Sequence, residues 1–278
     1  MRLLSALDLT VATALPGELV TAAYLSAVRR SVGVRRRRAA GAAGLPTHEL
    51  RRLERGGPGL DLHTAACLMR TYGITAGQDI EAVAVLLGSS DVALWDSGPG
   101  SRDRLTACER ASPTIRMWAA HWIPDLLQTA EYAKVAAQRV LIDNEPGPVQ
   151  LGLRCLSRRN STVTVLLDEF VLRRPIGGAS VMAGQLAHLK HLVRCRAATI
   201  RIVPVDCGIP PLGSQVAELH LPRGRLYVDE SIGIHYSTDP MQRLQYRAHL
   251  DALEAAAISA NQSYHWLGRA RTAFDVQV

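Results

Sequence analysis

No pair of cysteines in this chain is spaced as CxxC. Its five thiols (Cys67, Cys108, Cys155, Cys195, Cys207) form an odd, scattered set. That pattern excludes a disulfide framework and a zinc ribbon or finger, and leaves buried, reduced thiols as the expectation. Lysine is nearly absent, with Lys134 and Lys190 alone. No stretch approaches the ~20 consecutive apolar residues that a membrane helix needs. The first residues, with Arg2 as their single basic residue, lack the build of an export signal, so a cytoplasmic protein without membrane attachment is expected. Also missing are GxSxG, a P-loop and a dinucleotide fingerprint; no metal, no cofactor and no particular reaction is indicated.

What the chain does have is arginine, unevenly placed. Between Leu25 and Gly56 stand nine Arg (29, 30, 35 to 38, 51, 52 and 55) against Glu49 and Glu54. That local surplus equals the +7 of the whole 278-residue chain, so the remainder is close to neutral. A concentrated basic patch is either a solvated face or a phosphate-binding surface, where each neutralised phosphate releases condensed counterions.

Periodicity around the patch predicts short helices. Leu25, Val28 and Val32 recur at helical spacing before Gly33; a second helix spans Arg36 to Ala43 and stops at Gly44. Pro46 and Thr47 open a third, with Leu50 and Leu53 inward and Gly56-Gly57 as its stop. Asp61 is a good N-cap for a fourth, and Ala76 to Leu87 reads as a fifth. A basic third helix after a tight turn is the geometry that places a helix in a major groove.

Gly33, Ala40, Gly44, Arg52 to Gly56 and Tyr72-Gly73 resemble, in order and spacing, the Xre-type helix-turn-helix family, which is similar to the Cro and phage-repressor domains. The resemblance implies binding of double-stranded DNA through Arg35, Arg36, Arg37, Arg38, Thr47, His48, Arg51 and Arg52. It also implies a homodimer with recognition helices ~34 Å apart. The chain departs from the family pattern at Arg35 and Arg36, where a Ser cap and a Gln are usual. It departs again at Ala39 and Ala43, usually larger, and at Pro46, His48 and Glu49. Ala39, Gly41 and Ala43 shrink the local core, and Gly41 costs about 1 kcal/mol relative to Ala in a helix interior.

Length suggests two domains. The expected division is an N-terminal extension (1–20), a helix-turn-helix domain (21–88), a Ser/Gly/Pro-rich linker (89–112) in which Trp95 packs on a neighbouring helix, and a second domain (113–278). In that second domain an amphipathic helix opens at Pro124 with Leu126, Ala130, Ala133, Ala137 and Val140 on one face. Strands are expected at Thr162–Leu167, Thr199–Val203, Val216–Leu221 and Leu226–Val228, with helices after Gly177-Gly178 and from Pro240. The fold class is therefore α+β: an all-α five-helix bundle followed by a small sheet flanked by helices.

Trp118, Ile123–Thr129, Tyr132-Ala133, Leu167–Glu169, Leu172–Pro175, Gly177-Gly178, Gln185-Leu186, His188-Leu189 and Asp239-Pro240 carry a second resemblance. They are similar to the actinobacterial domain of unknown function that commonly follows an Xre-type helix-turn-helix, over about residues 113–265. The resemblance implies a regulator of development or specialised metabolism, often encoded beside a small acidic protein, whose second domain senses a small molecule or that partner. From the residues, the expected ligand site joins an apolar wall of Trp118, Trp122 and Tyr132 to polar anchors Asp168, Glu169 and Arg173. The same residues also suit plain core packing and a loop-fixing ion pair. His188 and His191 suit a metal or a surface pair; Cys207 with Asp206 and His220 suits a nucleophile or nothing. Three functions stay open: a ligand-responsive regulator, a pathway enzyme on the same two domains, and a partner-binding module.

Overall fold

The computed structural model describes residues 14–139, 162–210 and 213–276. Most of the expected N-terminal extension, Val140 of the helix after Pro124, and Cys155 lie outside the described residues.

The first five helices are α1 (Pro16–Ser31), α2 (Arg36–Ala42), α3 (Thr47–Leu53), α4 (Leu62–Thr71) and α5 (Gly77–Gly88). Pro16 sits at the start of α1, Glu18 lies in its first turn and Arg29 and Arg30 in its last, each favoured by the helix dipole. This helix begins nine residues before the expected Leu25. Leu19 to Ser26 are buried in succession, so the segment has no single stripe for a periodicity reading to find. Asp61 caps α4 by accepting a bond from the Thr64 amide at 2.7 Å. The turn between α2 and α3 passes through Gly44 at φ 65, a left-handed conformation open to glycine without strain.

The expected linker is not a linker. It holds β1 (Ala93–Asp96) and α6 (Ser101–Ala111), joined by the Ser97–Gly100 turn. A four-residue strand is too short to show a pattern, and its Gly/Pro-rich neighbour reads as a connection. Trp95 is 56% exposed and packs against His235 in a tilted ring pair, centroids 4.8 Å apart, instead of on a helix. Arg104 fixes α6 to this strand: its guanidinium donates to Asp96 (Nε to Oδ2, 2.8 Å) and to the carbonyls of Pro99 (2.7 Å) and Gly98 (3.2 Å).

Then follow β2 (Thr114–Ala119), a 3-10 turn at Asp125–Leu127, α7 (Ala130–Arg139), β3 (Thr162–Asp168), a 3-10 turn at Glu169–Leu172, α8 (Ala179–Arg194) and β4 (Thr199–Val203). The chain continues with β5 (Gln215–Leu221), β6 (Gly224–Asp229), β7 (Ile234–Ser237), α9 (Pro240–Ala256) and α10 (Ala260–Asp275). Among the described residues seven strands form one sheet in the order β1-β7-β6-β5-β2-β3-β4. The strands β2, β3 and β4 run parallel and the other pairings are antiparallel. The class is α+β, as expected.

Both faces of the sheet are covered, and the alternation within β2 shows how. Ile115, Met117 and Ala119 join the main core, which also takes in α1, α6 and α8, whereas Trp118 turns to the other face, where Leu250 and Leu253 of α9 cover it. Asp239 caps α9 and a Ser259–Gln262 capping box opens α10. Of the thiols, Cys108 is buried as expected but Cys195 is exposed.

Candidate functional site

Among the described residues, two surfaces carry groups beyond those the fold consumes. The first is the basic face of α2 and α3. Glu54, at the end of α3, is buried and takes Arg29 of α1 (Nη2 to Oε2, 3.0 Å) and Arg36 of α2 (Nε to Oε2, 2.9 Å), tying three helices to one carboxylate. Arg52 is held by Glu49 one turn back, at 2.9 Å. Arg36 and Arg52, both expected on the basic face, are thus engaged within the bundle. Arg35, Arg37, Arg38, Thr47, His48 and Arg51 are exposed, with no ion pair among the described residues. On α3, Thr47, His48 and Arg51 share the face opposite Leu50 and Leu53.

The second is a cavity of about 240 Å³ at one end of the sheet. Arg102 from the first turn of α6, Gln215 from the start of β5 and Glu230 just past β6 meet there with Trp122, Asp125 and Gln128, which follow β2. It lies by the carboxyl end of parallel strand β2, where α/β sheets tend to hold ligands. Ile123, Ala133, Ala136 and Ala137 supply an apolar wall.

The segment after β2 is held in place from behind. Gln185 of α8, fully buried, accepts from the Thr129 amide (2.7 Å) and donates to the Leu127 carbonyl (2.8 Å). Gln128 donates to the Ile123 carbonyl at 2.7 Å and to Asp125 at 3.0 Å. The cavity thus has a fixed rim.

Its electrostatics are dominated by carboxylates. Glu230, with a side chain 8% exposed, pairs with Arg102 and accepts from Gln215; Asp125 stands 3.6 Å from the same guanidinium and is half exposed. Burial pushes the Glu230 carboxyl up, against the pull of Arg102. Glu109, two turns along α6, is raised well above the usual range by burial and then by Glu230 and Asp125. Burial opposes the charge on Arg102, but Glu230 and Asp125 outweigh it and hold the guanidinium firmly protonated.

The six residues expected to form the ligand site do not line one cavity. Trp122 lines the cavity just described. Trp118 is 1% exposed under α9, and Tyr132 is buried with its hydroxyl accepting from the Ile123 amide at 3.3 Å. Asp168 caps the 3-10 turn through the Phe170 amide (2.8 Å), and Glu169 pairs with Arg173 and accepts from the Val205 amide (3.3 Å). Glu169 and Arg173 border a different groove, beside Trp266, Arg269 and Phe274 of α10. Each of the two acids thus has a backbone or Arg partner. Cys207 packs beside the Trp118 cluster, and His220 directs Nε2 to Glu218 at 3.3 Å.

Arg102, Gln215 and Glu230 went unmarked in the sequence because no local pattern joins them, and Asp125 stood there only as part of the Ile123–Thr129 motif, with no role assigned. Residues 102–269 match the model of DUF5753, a domain of unknown function. The chain belongs to the DUF5753 family. The match starts at Arg102, so α6 and the cavity residues are part of the DUF5753 domain, which begins earlier than the expected 113. No curated protein and no solved structure matches the chain.

Proposed function

We propose that this DUF5753 protein is a DNA-binding transcriptional regulator of the Xre helix-turn-helix type, whose C-terminal domain receives a small molecule or protein partner and changes DNA affinity. On this reading it acts in the cytoplasm as a homodimer, in control of development or specialised metabolism. The observation that carries it is the exposed set Arg35, Arg37, Arg38, Thr47, His48 and Arg51 on two short helices joined by a tight turn. Solvated cations without an ion-pair partner are available to phosphates, and α3 presents Thr47, His48 and Arg51 as a base-reading face. Among the described residues no helix is long and apolar enough to cross a membrane.

A route between the two functions runs along α6. Its first turn places Arg102 in the cavity, while Ala107, Arg110 and Ala111 face Ala23, Ser26, Ala27 and Arg30 of α1 across a groove. An occupant that prefers one position of α6 biases α1, and through Arg29 and Glu54 the α2–α3 pair.

Selection of duplexes from a random pool, followed by fluorescence anisotropy at several salt concentrations, tests the reading. Arg37→Ala with Arg51→Ala should weaken binding and lower the log–log salt slope by about 0.9 for each phosphate that is no longer neutralised. Arg52→Ala, already neutralised by Glu49, should do less. Equal effects of all three, or no duplex binding by the wild type, would remove the proposal. A pathway enzyme is the second reading, favoured by Glu230, a carboxyl raised by burial at a cavity as a general acid is.

A further inference from the structure

We propose that the cavity bounded by α6, α7 and the ends of β5 and β6 binds a small organic amine, its ammonium group set between Glu230 and Asp125 and its apolar body laid on Trp122 and the alanines of α7. The proposal names a ligand class for the C-terminal domain and rests on reading that domain as ligand-receiving; it does not require that the protein bind DNA.

The charge balance argues for a cation. Asp125 and Glu230 line the cavity, Glu109 stands close enough for both to disfavour its ionisation, and Arg102 is the one lining cation among the described residues. Two lining carboxylates against one guanidinium leave the site one positive charge short, and Glu109 behind them, kept protonated by burial, adds none. An ammonium ion supplies it and favours the ionised form of each acid. An anion would instead have to detach Arg102 from Glu230 and face both lining acids, Asp125 and Glu230, with Coulomb repulsion at short range and partial burial. A neutral ligand leaves the deficit in place.

The walls argue for an apolar body. Trp122, half buried, lines the cavity, and an indole attracts both hydrocarbon and a nearby cation. Ala133, Ala136 and Ala137 of α7 add apolar lining with short side chains. At about 240 Å³ the cavity is smaller than the ~300–1,000 Å³ of drug-sized sites, so the occupant is small. Gln128 and Gln215 add neutral hydrogen-bonding capacity at the rim, but Gln215 already donates to Glu230, which fixes that carboxylate's orientation.

Isothermal titration of the full chain, without DNA, tests this with four probes: 2-phenylethylamine, n-butylamine, 2-phenylethanol and phenylacetate. The two amines should bind saturably, and 2-phenylethylamine at least about tenfold more tightly than the alcohol or the acid, the worth of one charge-assisted hydrogen bond. Asp125→Asn, half exposed and tolerant of change, should weaken the amine about tenfold or more, and Glu230→Gln should do the same if it folds. Trp122→Ala should weaken 2-phenylethylamine more than n-butylamine. Equal affinity for amine and alcohol, preference for phenylacetate, or no heat with either amine each overturns the proposal. Loss of DNA binding alone would overturn the regulator and leave the amine site standing.

Discussion

Removal of the Arg104 guanidinium should be among the most damaging single changes in this protein. Arg104 is 1% exposed, and Asp96, its partner on β1, is 4% exposed. The guanidinium donates twice to that carboxylate and once each to the carbonyls of Pro99 and Gly98, closing the turn between β1 and α6. Arg104→Met keeps most of the side-chain stem and deletes all four bonds. An ionised Asp96 then remains in the interior without a counter-charge, a situation that costs about 3–5 kcal/mol. Asp96→Leu should cost a similar amount for the converse reason. The double variant removes both charges and leaves two carbonyls short of a donor, so it should lose less than either single change. At about 2–4 °C per kcal/mol, Arg104→Met should lower Tm by at least about 6 °C. Urea unfolding followed by circular dichroism, with both single variants and the double, closes the thermodynamic cycle. A loss below about 1 kcal/mol for Arg104→Met, or a double variant whose loss equals the sum of the singles, would refute the pairing as the force that fixes α6.

The parts of this fold that could be read from the chain are those in which one face is wet. In α3, Leu50 and Leu53 are buried while Thr47, His48 and Arg51 are exposed, and glycine punctuates the ends, so periodicity and stop signals agree. The strand β3 and helix α8 declare themselves through β-branched content and an apolar stripe. Where burial is complete the signal disappears. The first half of α1 is buried on every side, and β2 carries its alternation under a tryptophan that reads equally well as an aromatic wall. Fold class was legible for that reason, and the cavity was not. Arg102, Asp125, Gln215 and Glu230 meet only because β5 lies beside β2 in the sheet, a pairing across about a hundred residues that no local pattern announces. The ligand residues expected from sequence were polar groups clustered along the chain, and such clusters tend to satisfy one another, as Glu169 and Arg173 do.

Three further outcomes are expected. Gly41→Ala should stabilise the protein by roughly 0.5–1 kcal/mol in urea unfolding, since a methyl group there meets no atom within 4 Å and the backbone needs no left-handed angle; a loss of stability would show that α2 requires the glycine. Trp118→Ala should cost about 3–5 kcal/mol, whereas Trp118→Phe should cost much less, because the indole N–H has no hydrogen-bond partner among the described residues; equal costs would show that it has one. The last concerns pH and Glu109. Its carboxyl is raised in the folded protein by burial, whereas in the unfolded chain it ionises near the ordinary glutamate value of about 4.3. Below that value both states hold the proton and there is no penalty. As pH climbs from there towards the folded value, the unfolded chain releases its proton first and binds fewer, so stability falls with rising pH. Glu230, raised in the same direction, adds to the decline. Thermal unfolding between about pH 4.5 and 8 should therefore show Glu109→Gln gaining on the wild type as pH increases, and parallel curves for the two proteins would mean that Glu109 is not held protonated by its surroundings.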